Sequence, residues 1–223
     1  MFVGLEPPHT GPGRYGGIVA GMQCPAILTP ASDNNRDRKA EMDTPTTTNP
    51  VLEVIFTPDQ IARRLVEMAH AIKGDGLENL MVVAILKGSF VFAADLIRAL
   101  HGVGLTPEVD FMTLSSYRKA RISGGQVSIL RDMDLEVRDR NVMIIDDVLD
   151  SGRTLAFAKD LIAARGAKSI KTCVLLDKQA TRAVQLQPDY CAFECPDVFV
   201  VGYGMDVSHR YRELPFVGRI VRE

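Results

Sequence analysis

Charged and hydroxyl side chains follow three apolar segments of the sequence, each at the point where the segment ends. The apolar segments are residues 80–86, 142–145 and 169–176. The polar groups that follow them are Lys87-Gly88-Ser89, then Asp146-Asp147 with Asp150–Thr154, then Asp177-Lys178. If the segments are parallel strands, the three groups meet at one edge of the sheet, where ligands of such folds bind. The sequence therefore predicts a polar binding site at that edge.

The chain after residues 142–145 carries the residue types of a phosphate site. Ser151, Gly152 and Thr154 stand where a loop is predicted to become a helix. Backbone N–H groups at a helix N-terminus, two hydroxyls and a glycine that permits close approach form a cradle for a phosphate monoester. The P-loop pattern G-x-x-x-x-G-K-[ST] is absent, so the sequence does not favour hydrolysis of ATP or GTP.

The adjacent acids Asp146 and Asp147 would repel a phosphate but suit the vicinal hydroxyls of a ribose, directly or through Mg²⁺. A phosphate cradle beside a diol site indicates a ribose 5-phosphate. Taken singly, an acidic pair or a Ser-Gly turn at a strand end is more simply explained as a helix cap. The combination of the polar groups at one edge favours a binding site.

Alternating strands and helices are predicted to position these residues. Thr57 can cap a helix that has Pro58 at its first position and Gln60 at its third. The apolar stripe of that helix is Ile61, Leu65, Met68 and Ile72. Further helices are predicted at 90–100 and 155–165, and further strands at 108–114, 126–130, 190–193, 199–203 and 217–221. This alternation predicts an α/β fold whose mostly parallel sheet is covered on both faces.

The composition is typical of a soluble globular protein, with 46% hydrophobic and 24% charged residues and a formal net charge of −2. This charge gives no general attraction to nucleic acid. No stretch near the N-terminus is long enough to span a bilayer or has the pattern of a signal peptide. We therefore expect a cytoplasmic protein with no membrane or nucleic-acid partner, and we interpret its cysteines as free thiols.

Residues 1–50 lack a persistent hydrophobic period, so we predict a disordered extension before a phosphate-binding functional domain at 51–223.

The segment Ile144–Thr154, with sequence IIDDVLDSGRT, resembles the 5-phosphoribosyl 1-pyrophosphate motif of the type I phosphoribosyltransferases. Other segments resemble the hypoxanthine (hypoxanthine-guanine) phosphoribosyltransferases within that family. They are Leu86–Ser89, Ser115–Tyr117, Leu175–Lys178, Phe199–Asp206 and Tyr211-Arg212. The resemblance runs in order from about Val51 to the end of the chain. It implies the type I phosphoribosyltransferase fold, with a central mostly parallel sheet flanked by helices and a small hood from the C-terminal segment.

The resemblance also implies roles in holding the phosphoribosyl donor. Asp146 and Asp147 would hold the ribose hydroxyls, directly or through Mg²⁺. The residues around the 5-phosphate would be Ser151, Gly152, Arg153 and Thr154. Asp150 would face purine N7 and transfer its proton, as general base in the forward direction and as acid in reverse.

On the base side, the resemblance implies that Lys178 faces the oxygen at C6 of hypoxanthine or guanine. An ammonium group donates hydrogen bonds and accepts none, so it would reject the amino group of adenine. Phe199 would stack on the base, and Val200 would offer backbone contacts to its edge. Taken alone, Phe199 is more simply a core residue.

On the pyrophosphate side, Lys87 and Gly88 would contact the leaving group, with a cis peptide bond between Leu86 and Lys87. Arg212 would also bind pyrophosphate, and Asp206 would ligate Mg²⁺. A lid formed by Ser115, Ser116 and Tyr117 would exclude water. This chain departs from the family after Tyr117, where Arg118–Arg121 adds three positive charges, and at Asp146, where the family often has glutamate.

The implied function is Mg²⁺-dependent transfer of a phosphoribosyl group from 5-phosphoribosyl 1-pyrophosphate to hypoxanthine and guanine, in a homodimer or homotetramer. Two alternatives stay open. One is a regulator that senses phosphoribosyl pyrophosphate and binds nucleic acid. Residues 1–50 do not favour it, because they hold four Lys/Arg against five Asp/Glu. The other is a related enzyme for xanthine, adenine or a pyrimidine. Lys178 argues against adenine only.

Overall fold

The computed structural model describes residues 51–116 and 127–221 of the chain. These residues form three helices, α1 (Pro58–Gly74), α2 (Phe90–Gly102) and α3 (Arg153–Ala164). The strands are β1 (Val51–Phe56), β2 (Leu80–Leu86), β3 (Glu108–Ser116), β4 (Val127–Arg131), β5 (Asn141–Leu149), β6 (Ser169–Asp177), β7 (Tyr190–Glu194), β8 (Val200–Val201) and β9 (Val217–Val221).

A six-stranded sheet carries the predicted polar residues. Its strand order is β4-β3-β2-β5-β6-β7, and every pairing is parallel except that of β4 with β3. The three strands β2, β5 and β6 are therefore neighbours, and their carboxyl ends lie at one edge of the sheet. This arrangement confirms the predicted α/β fold and the predicted parallel strands.

Both faces of this sheet are covered, because successive side chains of a strand point to opposite sides. In β2, Val82 and Ala84 pack with α1 and α2, whereas Met81 and Val83 pack with α3. The predicted apolar stripe of α1 is buried in the first of these layers. Thr57 caps α1 as predicted: its hydroxyl accepts from the backbone N–H of Gln60, whose side chain accepts from the backbone N–H of Thr57.

A second, three-stranded antiparallel sheet has the order β1-β9-β8. It corresponds to the small hood expected from the C-terminal segment, with one correction: its β1 strand precedes α1 in the chain. Sequence analysis missed β1, whose residues show no strict alternation; three of them are exposed and three are half-buried. Its strand conformation is stabilised by pairing with β9, which lies more than 160 residues away in the chain.

Some element boundaries differ from the predicted ones. Strand β5 extends to Leu149, so Asp146 and Asp147 lie within the strand and not after it. Helix α3 begins at Arg153. The strand predicted at 199–203 is limited to Val200–Val201, since the backbone then turns through Gly202 and Tyr203, both at positive φ.

Several predictions concern residues that the structure does not describe. The extension at residues 1–50, the side chain of Ser116, Tyr117 and the basic residues Arg118–Arg121 are among them. Among the described residues, Cys173, Cys191 and Cys195 are free thiols, as expected. No helix in the described part of the chain is long and apolar enough to cross a membrane.

Candidate active site

A cavity of about 490 Å³ lies at the carboxyl edge of the six-stranded sheet, a size typical of small-ligand sites. It brings together residues that the sequence analysis selected from five separate segments. They are Lys87, Gly88, Asp146, Asp147, Asp150, Thr154, Lys178, Phe199, Val200, Asp206 and Arg212. Parallel pairing of β2, β5 and β6 accounts for the first seven, because each lies in the carboxyl-terminal half of one of these strands or follows the strand.

The acidic pair lies at the centre of this edge. Asp146 is only 7% exposed, and its Oδ1 atom accepts a hydrogen bond of 3.0 Å from the backbone N–H of Asp147. Burial raises the pKa of Asp146 well above its usual range, and the nearby carboxylate of Asp147 raises this pKa further. A cation or a ribose diol at this edge would stabilise the charged form of the pair.

We expect Asp146→Asn to raise the melting temperature of the ligand-free protein at pH 7. The pKa of Asp146 is higher in the folded protein than its usual value of 3.8, so the folded state binds this proton more tightly than the unfolded state. The resulting stability is fully present below about pH 3.8 and is lost as the pH rises through the folded pKa. Asparagine retains the oxygen that accepts from Asp147 and carries no charge.

The measurement is thermal unfolding of both proteins in the presence of a chelator at pH 7 and pH 4. The difference in melting temperature between Asp146→Asn and wild type should shrink toward pH 4, where the carboxyl group of Asp146 in the wild type is increasingly protonated. Asp160→Asn, at an exposed position of α3, is the control and should show no such pH-dependent gain. Equal melting temperatures of wild type and Asp146→Asn at pH 7 would contradict the assignment.

The predicted phosphate cradle lies at the start of α3. Gly152 precedes the first helical residue, Arg153, with a φ of 81°, a left-handed conformation that disfavours residues with a Cβ atom. The first N–H groups of an α-helix have no acceptor within the helix and suit an anion. Thr154 lines the cavity, whereas Ser151, Gly152 and Arg153 lie beside it at the helix N-terminus.

The loop after β2 approaches the acidic pair closely. The peptide bond between Leu86 and Lys87 is cis, as the family resemblance predicted. A Cβ atom on Gly88 would lie 1.8 Å from Oδ2 of Asp147, so only glycine leaves room for that carboxylate. Ser89 is fully buried and donates a hydrogen bond of 2.5 Å to the carbonyl oxygen of Ile85, which closes the loop onto its strand.

The residues predicted to contact a base also line the cavity. Lys178 is 8% exposed, and its Nζ atom donates a hydrogen bond of 2.6 Å to the carbonyl oxygen of Val198. An ammonium group has three donors, so others can serve a ligand. Phe199 lines the cavity and is 58% exposed. A core residue would be buried, so the structure does not support that simpler explanation of Phe199. An exposed ring and a buried donor that line one cavity suit a planar heterocycle with an oxygen at its edge.

Arg212 and Asp206 form an ion pair of 2.6 Å within the cavity. Arg212 also donates to the carbonyl oxygen of Gly204 at 2.6 Å, and Asp206 accepts from the backbone N–H of His209 at 2.8 Å. The guanidinium is therefore fixed in one place and can bind an anion there.

The carboxylates of Asp146, Asp147 and Asp206 line the same cavity, which fits the preference of Mg²⁺ for oxygen ligands. No group of three or more metal-ligating side chains is assembled in the described segments. This donor set still fits Mg²⁺, because this ion commonly binds one or two carboxylates and completes its shell with water and substrate phosphates.

The predicted lid residue Ser115 does not line the cavity in this structure. It lies in β3, and its hydroxyl is 2.8 Å from that of Ser128 on β4. The adjacent Thr113, Leu114 and Leu130 line the cavity instead, and the sequence analysis did not select them. Their apolar or strand-forming character gave no chemical signal.

Sequence analysis also missed Arg182, whose side chain lies beside the phosphate cradle. Arg182 pairs with Asp177, with the two side chains 14% and 9% exposed. Its Nε atom donates a hydrogen bond of 3.1 Å to the carbonyl oxygen of Asp150. Because Arg182 lies in an irregular segment without periodicity, nothing in the sequence separated it from a surface arginine.

Comparison with known proteins gives consistent matches. The phosphoribosyl transferase domain profile matches residues 55–208. Hypoxanthine phosphoribosyltransferase of Escherichia coli (strain K12) is 39% identical over 173 residues, which are 76% of this chain and 96% of that protein. The crystal structure of a hypoxanthine-guanine phosphoribosyltransferase from Bacillus anthracis is 40% identical with a TM-score of 0.70, and the match covers 76% of this chain and 98% of that one.

Some relatives are much longer proteins. The bifunctional protein TilS/HprT of Listeria monocytogenes serotype 4b is 41% identical over 172 residues, which are 76% of this chain. The match spans only 26% of that bifunctional protein. The similarity therefore concerns one of its parts.

Proposed function

This chain belongs to the phosphoribosyl transferase family, and we propose that it is a purine-salvage enzyme. It transfers the 5-phosphoribosyl group from 5-phosphoribosyl 1-pyrophosphate to N9 of hypoxanthine, and of guanine, to give the nucleotide and pyrophosphate. The observation that carries the proposal is the meeting of Lys178 and Phe199 with the phosphate cradle and Asp150 around one cavity. Lys178 and Phe199 suit an oxopurine, the cradle suits a ribose 5-phosphate, and Asp150 suits transfer of the purine proton.

In this reaction N9 of the base bonds to C1′ of the ribose, and the bond from C1′ to pyrophosphate breaks. The base must lose a proton as it becomes part of the nucleotide, and Asp150, which lines the cavity, would accept this proton from N7. In the reverse direction Asp150 returns the same proton. Lys178 holds the C6 oxygen, and Phe199 fixes the plane of the ring, so that N9 faces C1′.

The departing pyrophosphate carries negative charge that must be stabilised as its bond breaks. Lys87 and Arg212 both line the cavity, and Arg212 is already fixed by Asp206 and the carbonyl oxygen of Gly204. Donors that are fixed before the reaction stabilise developing charge without reorganising. Mg²⁺, held by Asp146, Asp147 or Asp206, would neutralise phosphate charge when bound.

The purine preference is the finer part of the proposal. An ammonium donor at the C6 oxygen suits hypoxanthine, guanine and xanthine alike, because all three carry this oxygen. Both the E. coli and B. anthracis relatives are named for hypoxanthine, which favours that base. Xanthine is the second candidate, since Lys178 does not exclude it.

The test is an assay of the purified protein with phosphoribosyl pyrophosphate, Mg²⁺ and each base in turn. We expect nucleotide formation with hypoxanthine and guanine, and none with adenine. Omission of Mg²⁺ in the presence of a chelator should abolish nucleotide formation. If no oxopurine gives a nucleotide, the proposed function is wrong. Adenine as the preferred base would contradict the role of Lys178.

We also propose that the enzyme acts in the cytoplasm as a homodimer or homotetramer. The free thiols Cys173, Cys191 and Cys195 are compatible with a reducing compartment. Light scattering of the purified protein gives the oligomeric state directly.

A further inference from the structure

The chain after β6 is bonded along the phosphate cradle at nearly every residue. We call residues 178–184 the brace segment. The backbone N–H of Lys178 donates to the carbonyl oxygen of Leu149 at 3.0 Å. The N–H groups of Ala183 and Val184 both donate to the carbonyl oxygen of Ser151, at 3.0 and 3.1 Å. The brace segment therefore holds both ends of the turn that carries Asp150.

Arg182 completes these contacts from the middle of the brace segment. Its guanidinium group donates to the carbonyl oxygens of Asp150 at 3.1 Å and Leu149 at 3.4 Å, and it pairs with Asp177. A Cβ atom on Gly152 would lie 3.3 Å from Cδ of Arg182, so the two segments also pack closely. Because the carbonyl oxygens of Leu149, Asp150 and Ser151 all accept bonds from the brace segment, the position of this turn is well determined.

Thr181 is the residue of the brace segment that reaches the Asp150 side chain. Its hydroxyl donates a hydrogen bond to Oδ1 of Asp150. The contact adds a side-chain restraint to the backbone restraints made by Arg182 and Ala183. This geometry links the side chain of the proposed proton-transfer residue to Thr181, which is not one of the proposed ligand-binding residues.

We propose that Thr181 is a positioning residue, which orients the Asp150 carboxylate for proton exchange with the purine. The proposal rests on the function proposed above and adds a second residue to its proton-transfer step. The rotation of an aspartate carboxylate about χ2 is broad, so backbone position alone does not orient its oxygens. Threonine is branched at Cβ and stiff at χ1, so its hydroxyl is a well-placed donor. One bonded oxygen fixes the plane of the carboxylate.

A carboxylate that loses this restraint would spend less of its time within reach of the purine proton. Proton transfer requires a separation of about 2.6–3.2 Å between the heavy atoms. Binding of phosphoribosyl pyrophosphate does not depend on this orientation, because the 5-phosphate and the ribose are held by other groups. Loss of the Thr181 hydroxyl should therefore affect kcat and leave KM for phosphoribosyl pyrophosphate unchanged.

The test compares Thr181→Val, which has the same shape without the hydroxyl, with Thr181→Ser, which retains it. We expect Thr181→Val to lower kcat by about tenfold, a part of the factor of about 10² to 10⁴ that general acid–base catalysis contributes. KM for phosphoribosyl pyrophosphate should stay within about twofold of wild type, and Thr181→Ser should recover most of kcat. Thr106→Val is the matched control, at an exposed threonine between α2 and β3, and should behave as wild type.

A double variant separates positioning of Asp150 from a general effect on the cradle. In an Asp150→Asn background, Thr181→Val should change kcat by less than about twofold, because residues that act through one another are not additive. A fall in kcat of about tenfold in that background would overturn the proposal, as would an equal rise in KM for phosphoribosyl pyrophosphate. Unchanged kcat in Thr181→Val beside an active wild type would overturn this inference alone. A wild type inactive with every oxopurine would overturn the proposed function as well.

Discussion

Replacing Asp150 by asparagine is expected to lower kcat by about 10²- to 10⁴-fold, the usual contribution of a general acid or base. Asparagine has the same shape but cannot accept the purine proton at neutral pH. Its side-chain oxygen can still accept the hydrogen bond from Thr181, and its backbone carbonyl can still accept from Arg182. The geometry of the cradle is therefore retained, and the loss should lie in the chemical step.

Steady-state kinetics and calorimetric binding of phosphoribosyl pyrophosphate measure the two parts of this prediction. The dissociation constant should stay within about threefold of wild type while kcat falls, as for an interaction made only in the transition state. Asp160→Asn makes the same chemical change at an exposed position of α3 and should leave both quantities unchanged. Unchanged turnover in Asp150→Asn would remove Asp150 from the mechanism.

The second large effect is expected for Gly88→Ala. The new Cβ atom would lie 1.8 Å from Oδ2 and 2.5 Å from Cγ of Asp147, so that carboxylate must leave its place. The end of an aspartate side chain can rotate away, so we expect the fold to survive. The ribose site would then lose one of its two acids, and a misplacement of about 1 Å in a reacting group can cost on the order of 10² in rate. We expect kcat/KM for phosphoribosyl pyrophosphate to fall by about that factor.

Gly102→Ala is the matched control for this prediction. Gly102 is the last residue of α2, and a Cβ atom there would have no neighbour within 4 Å. Alanine at this position should leave kcat/KM unchanged and the stability equal or slightly higher. Circular dichroism and thermal unfolding establish that both variants fold. Wild-type activity in Gly88→Ala would mean that the approach of Gly88 to Asp147 is not needed for function.

Much of the fold was predictable because its signals are local. The capping box at Thr57, the apolar stripe of α1 and the continuous apolar strands β2, β5 and β6 depend on residues close in the chain. The strand β1 was missed, because its residues show no strict alternation and its partner β9 is distant in sequence. The end of β5 was also misplaced, since charged Asp146 and Asp147 are unlike strand residues and are accommodated there by the sheet pairing with β6.

The residues of the candidate site also divide into those that were predicted from the sequence and those that only the structure revealed. The spacing of residues within one segment indicated the phosphate cradle, and the family resemblance implied the roles of Asp150 and Lys178. The structure placed most of the selected residues around one cavity but put Ser115 outside its lining.

The sequence by itself predicted a phosphoribosyl site at the ends of parallel strands and, through the family resemblance, a donor suited to an oxopurine. Only the tertiary structure decided how these groups are held. The close approach of Gly88 to Asp147, the pairing of Arg182 with Asp177 and the bond from Thr181 to Asp150 join segments that are separated in the chain or lie in irregular loops. Such contacts follow from the packing of the whole sheet and its loops, and a periodic pattern in one segment does not encode them.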